Sequence, residues 1–206
     1  MSKSWSVRDF VIIWLSGIVG GAIAGVAGLL ISSDWSLILG VAGALGFQLI
    51  ALWALRRSKD DPDLGFILQF RDLPYLVLGA GLQLGMAILL APLAEVLIPE
   101  GDSVQQLPAE ILNQDTAFFV RASIAAIVVL VGPVVEELAY RGVLIAALRH
   151  RGDRYVILIS AAVFSLVHIV TLTPPLLASA ILVLPMFFVL GIILARMALR
   201  SGRLGP

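Results

Sequence analysis

Six apolar stretches dictate what this chain can fold into. They run over residues 10–31, 35–55, 73–94, 116–148, 155–172 and 176–199. The first three and the fifth contain no Asp, Glu, Lys or Arg. About 20 apolar residues in a helix rising 1.5 Å per residue cross the roughly 30 Å of a bilayer's hydrocarbon core. Composition agrees: 14 % of the 206 residues are charged, against about 25 % in an average soluble domain, and the mean hydropathy is +1.02. The expected fold is all-α, a polytopic transmembrane helix bundle of six spans, read as one domain over residues 1–206. The first stretch is too long for a signal-peptide core of about 7–15 residues, so it is read as a retained span.

The polar residues fall between these stretches with a clear bias. Drawing six spans puts Lys3, Arg8, Arg56, Arg57, Lys59, Arg71, Arg149, Arg151, Arg154, Arg196, Arg200 and Arg203 on one side. The loops on the other side, 32–34, 95–115 and 173–175, hold no Lys or Arg. The positive-inside rule then makes the N-terminus cytoplasmic and the location the cell membrane, multi-pass. The loop 95–115 is acidic, with a short interfacial helix expected from Pro108. Small residues at Gly17, Gly21 and Gly25, with Gly20, Ala24 and Gly28 on the adjoining row, predict close helix packing in the first span. No basic run points to nucleic acid. The absence of cysteine excludes disulfides, zinc–thiolate sites and thiol catalysis.

The fourth stretch breaks the pattern. It is too long for one straight span, and Gly132-Pro133 lies near its middle. A proline there is expected to kink or restart the helix. Just beyond it comes Val135-Glu136-Glu137-Leu138-Ala139-Tyr140-Arg141-Gly142, placing Glu136 and Glu137 in the first turn of a restarted helix, near its positive dipole end. Ionisable residues at membrane depth are costly and mark function by default. Glu137 and Arg141 are i,i+4 neighbours with the acid N-terminal to the base, the favourable order for a pair. Glu136 falls about 100° away on the helix, with Tyr140 as its own i,i+4 neighbour. Glu136 therefore lacks a counter-ion in its own helix.

Depth connects Glu136 with a histidine. Glu136 precedes Arg149 by thirteen residues, and His168 follows Arg154 by fourteen; each is roughly 20 Å from the basic end of its helix. A carboxylate at that depth can act as general base toward water, and an imidazole can donate to the oxyanion formed when water attacks a carbonyl. Phe164, i−4 to His168, can wall one side of the imidazole. Ser165 would need its base one turn away on the same helix, which disfavours a serine nucleophile. A catalytic zinc site wants three protein ligands and only one histidine lies within the spans; His150 sits among interfacial arginines. No metal or other cofactor is expected.

Glu136-Glu137-x-x-x-Arg141 followed by Phe164-x-x-x-His168 resembles the first two motifs of the CPBP family (CAAX protease and bacteriocin-processing, also called Abi) of intramembrane endopeptidases. The stretch from Phe188-Val189-Leu190-Gly191 to Pro206 resembles the family's next helix and the turn after it, so the resemblance covers 132–206. It implies a glutamate-dependent protease acting on a membrane-associated peptide or protein. Glu136 and His168 would be catalytic, with Glu137, Arg141, Tyr140 and Phe164 supporting the site. The family carries a further His followed four residues on by Asn or Asp, on a helix expected after Pro206. This chain holds no such pair, and the 206-residue form is expected to have little activity. Two other readings are weighed: an inactive family member serving as membrane scaffold or bacteriocin-immunity protein, and a small transporter using the buried charges as an ion path. A transporter should show repeats across its halves, and the sequence has none.

Overall fold

In the computed structural model, residues 4–60, 64, 73–98, 117–172, 174, 176–202 and 204 are described. They are nearly all helical. The helices are α1 (Val7–Leu29), α2 (Ser33–Arg56), α3 (Leu73–Leu97), α4 (Phe118–Arg151), α5 (Asp153–Val167, prolonged by a 3-10 turn, His168–Thr171) and α6 (Leu176–Ser201). Five of them are long and apolar enough to cross a membrane among the described residues: α1, α2, α4, α5 with its 3-10 turn, and α6. The third predicted span coincides with α3. The acidic loop beyond Ile98, with the helix expected from Pro108, and most of the linker between α2 and α3 lie outside the described residues. Large apolar side chains face outward on these helices; Val96 is 81 % and Phe118 77 % exposed. No soluble surface tolerates that much uncovered apolar area, whereas a lipid-facing one requires it. The protein is an all-α, multi-pass membrane protein.

The chain divides into two compact units. The first comprises Met1–Leu64 and Ile111–His150, the second Gly65–Glu110 and Arg151–Pro206. In the first unit, α1 and α2 form a tightly packed hairpin. Ser6 starts α1 with a capping box: its hydroxyl accepts from the Asp9 amide at 3.4 Å, and its own amide donates to the Asp9 carboxylate at 2.8 Å. Ser32 caps α2 by accepting from the Trp35 amide at 3.4 Å. Between the helices, the glycine rows do what their spacing predicts. A β-carbon on Gly20 would run into Phe47 and into the backbone carbonyl of Gly43, so only glycine permits this approach. The hairpin is also tied by hydroxyls, Ser36 donating to Gly25 O at 2.9 Å and Ser16 to Phe47 O at 3.2 Å.

The open end of the hairpin closes on an ion pair absent from the sequence reading. Lys59 Nζ lies 2.6 Å from the Asp9 carboxylate, both side chains 9 % exposed, and 5.2 Å from the centre of the Trp5 ring. The start of α1 and the end of α2 thus lie together, as two antiparallel spans require.

In the second unit, α5 and α6 pair closely. A β-carbon on Gly191 would approach Ala161 Cα to 2.9 Å. Ser165, buried in this contact, donates its hydroxyl to Leu184 O at 2.6 Å. α6 runs through Pro185 and ends at Gly202, whose φ of 66° is the left-handed cap that glycine adopts without penalty.

Candidate active site

α4 is one helix of 34 residues, not two. The expected restart at Pro133 is corrected by the structure: a π-helical turn, Ile127–Val131, precedes the proline, and α-helix resumes over Gly132–Glu136. The Gly132 amide bonds to Ile127 O, five residues back. Proline lacks an amide hydrogen and its ring crowds the carbonyl four residues earlier. A turn widened to i→i+5 accommodates both problems without ending the helix. Glu136 and Glu137 consequently do not sit at a helix N-terminus, and the dipole argument for their placement does not apply.

A second π-helical stretch, Glu137–Leu144, begins at the motif itself. Such widened turns occur often at functional sites. Here it carries Glu137, Tyr140 and Arg141, and it packs against α1. Tyr140 is buried, its ring edge-on to Phe10 at 5.2 Å between centroids and 65° between planes. Arg141 is 3 % exposed. Its Nε lies 3.5 Å from Glu137 Oε2, the i,i+4 pair that the spacing predicts. Its guanidinium carbon is 5.9 Å from the centre of the Tyr140 ring. Glu136, the last residue before the widened stretch, is half-buried and makes no hydrogen bond or salt bridge with a described residue. The two adjacent glutamates are thus distinguished by distance: Glu137 lies within ion-pair range of Arg141 Nε, whereas Glu136 forms no salt bridge among the described residues.

His168 belongs to the second unit, so it is described with α5 and α6 alone. It is the residue at which α5 tightens from α to 3-10. Its backbone amide reaches back to Ser165 O and Leu166 O. The imidazole bonds within the same turn: Nδ1 lies 2.6 Å from Phe164 O. A carbonyl oxygen only accepts, so Nδ1 carries the hydrogen and donates it. Phe164, buried, meets the imidazole edge-on at 4.9 Å and 71°, the wall predicted from its i−4 position. On α6, Phe187 stacks on the imidazole at 3.8 Å and 18°. Phe187 was not visible from the sequence, because the contact crosses between helices. The one hint was its position two residues after Pro185, in the helix paired with α5. The Ser165 hydroxyl is engaged by Leu184 O, which removes it further from a nucleophile's role.

With Nδ1–H committed to the helix end, Nε2 is the nitrogen with which His168 can do chemistry. In the neutral ring Nε2 is an acceptor; in the imidazolium it is a donor.

No curated protein and no solved structure matches this chain. A family model does: residues 118–206 match the Rce1-like family, described as type II CAAX prenyl endopeptidase Rce1-like. The match takes in both motifs and contains the stretch 132–206 on which the resemblance rests. The similarity to this endopeptidase family runs from the first turn of α4 past the end of α6.

Proposed function

We propose that this protein hydrolyses a peptide bond in a membrane-associated peptide or protein, with water as the nucleophile. Glu136 takes the proton from the attacking water. His168, as imidazolium, donates from Nε2 to the oxyanion that develops on the scissile carbonyl. The tetrahedral intermediate then collapses, and the leaving amine takes the proton that Glu136 has held. No covalent enzyme intermediate forms. Glu137 and Arg141 neutralise each other beside the general base, and Tyr140 holds their helix against α1. The N-terminus is cytoplasmic, as the basic residues at the open end of the α1–α2 hairpin favour.

The observation that supports this reading most is the division between the two glutamates. Glu137 lies beside Arg141 while its neighbour Glu136 has no salt bridge among the described residues, inside a segment that matches an endopeptidase family. A structural ion pair needs one acid and one base, and Glu137 already supplies the acid.

The test is purified protein in nanodiscs, incubated long enough to register slow turnover with membrane-anchored reporter peptides, some prenylated at a C-terminal cysteine motif and some not. Mass spectrometry of the products in heavy-oxygen water should show one heavy oxygen in the new carboxylate. Cleavage should survive chelators. Loss of cleavage to a chelator with rescue by zinc would replace the glutamate mechanism with a metal one.

A further inference from the structure

Three described contacts hold the imidazole of His168, two from the motif that contains it and one from another helix. Phe164 supplies a carbonyl for Nδ1 at 2.6 Å and a ring edge at 4.9 Å. The third holder is Phe187, face to face with the imidazole at 3.8 Å and 18°. We propose that Phe187 is a positioning residue: its stacked ring fixes the plane of His168 so that Nδ1–H stays on Phe164 O and Nε2 keeps one fixed direction. The catalytic part of this proposal rests on the function proposed above; the tautomer does not.

The two restraints differ in kind. Stacking sets the plane of the ring but not which edge faces the carbonyl, because a half-turn about the Cβ–Cγ bond leaves the plane unchanged. The carbonyl supplies the missing sense: a half-turn would put a carbon against Phe164 O and forfeit a hydrogen bond at a helix end. The carbonyl alone is also insufficient, since without a stacked neighbour the ring can swing out of line with it. Together they allow one plane, one orientation and one neutral tautomer. An unconstrained histidine prefers the other tautomer, with hydrogen on Nε2, so the proposed state is diagnostic.

The framework around Phe187 is built to keep it in register. Ser165 is bonded to Leu184 O at 2.6 Å, three residues before Phe187. Ala161 closes on Gly191, four residues after it. Phe187 also meets the Phe164 ring at 5.8 Å and 85°, so the three rings brace one another. Simple core packing would not require a parallel stack on the one residue of α5 whose ring nitrogens differ in role.

The experiment is nitrogen-15 NMR of histidine-labelled protein in nanodiscs. The chain has two histidines, so His150→Gln leaves His168 as the sole signal. The neutral form should carry its hydrogen on Nδ1. Phe187→Leu should shift the ring toward the Nε2–H form or a mixture, with helicity and thermal stability retained. Phe187→Tyr, which keeps the aromatic face, should restore the original spectrum. In the cleavage assay, Phe187→Leu should lower kcat by up to about 10²-fold with little change in KM, the scale of a displaced catalytic group. A parent protein showing the Nε2–H tautomer overturns the proposal. So does a Phe187→Leu spectrum identical to the parent's. Should Phe187→Leu fail to fold, Phe187→Tyr and Phe187→Met carry the same comparison. A parent with the Nδ1–H tautomer, sensitive to Phe187 but cleaving nothing, upholds the clamp and overturns the proteolytic reading. Cleavage by a parent with a mixed tautomer does the reverse.

Discussion

A carboxylate and a guanidinium one turn apart in an apolar helix stabilise the fold only as a pair. Arg141 is 3 % exposed and its Nε lies 3.5 Å from Glu137. Removing one partner leaves the other charged at membrane depth, a loss of about 3–5 kcal/mol. Glu137→Ala and Arg141→Ala should each lower the midpoint of thermal unfolding in detergent, and the double variant should be less damaged than the sum of the two. If both single variants are as stable as the parent yet inactive, the pair belongs to the chemistry and not to the scaffold. His168 makes a different prediction. An oxyanion donor at Nε2 requires the imidazolium, and a general base at Glu136 requires the carboxylate. Raising the pH removes the first and lowering it removes the second, so kcat/KM should be bell-shaped in pH. In Glu136→Asp the acid limb should move while the alkaline limb stays. A rate that climbs steadily into alkaline solution would show His168 acting as neutral acceptor and overturn the donor role.

At the scale of elements, what was legible in the sequence follows from what each signal depends on. Helix positions were legible because each span is an uninterrupted apolar run, and a bilayer leaves the backbone few alternatives. The α1–α2 contact was legible because small residues recur at i, i+4 and i+8. The Glu137–Arg141 pair was legible because four residues separate them. Pro133 misled because proline reports only that the regular hydrogen bond is lost; whether the helix breaks or widens depends on the neighbouring turn. Here Ile127–Val131 widens and the helix continues. Phe187 and Lys59 were not legible, since each meets its partner on another helix. These contacts give a direct test of packing. Gly20→Val should destabilise the α1–α2 hairpin by about 1–3 kcal/mol, the usual cost of overpacking, read as a lower unfolding midpoint. An unchanged midpoint would mean that the two helices do not pack as closely as the Gly20–Gly43 approach requires.

For the molecule as a whole, charge placement predicts a topology. By the positive-inside rule the basic residues of the 57–59 turn and the 149–154 turn are expected on one side of the membrane, and the 32–34 and 173–175 turns on the other. Reporter fusions after Ser58 and Gly152 should read cytoplasmic, and those after Ser32 and Pro174 external. Two reversed readings would overturn the orientation while leaving the helices intact.

The central claim is that Glu136 activates water while its neighbour Glu137 serves Arg141. Glu136→Gln removes the base and keeps the shape, so it tests this claim most directly when cleavage and folding are measured on the same sample. The account predicts no cleavage of a reporter the parent cuts, with an unfolding midpoint close to the parent's. Cleavage by Glu136→Gln at the parental rate would contradict it.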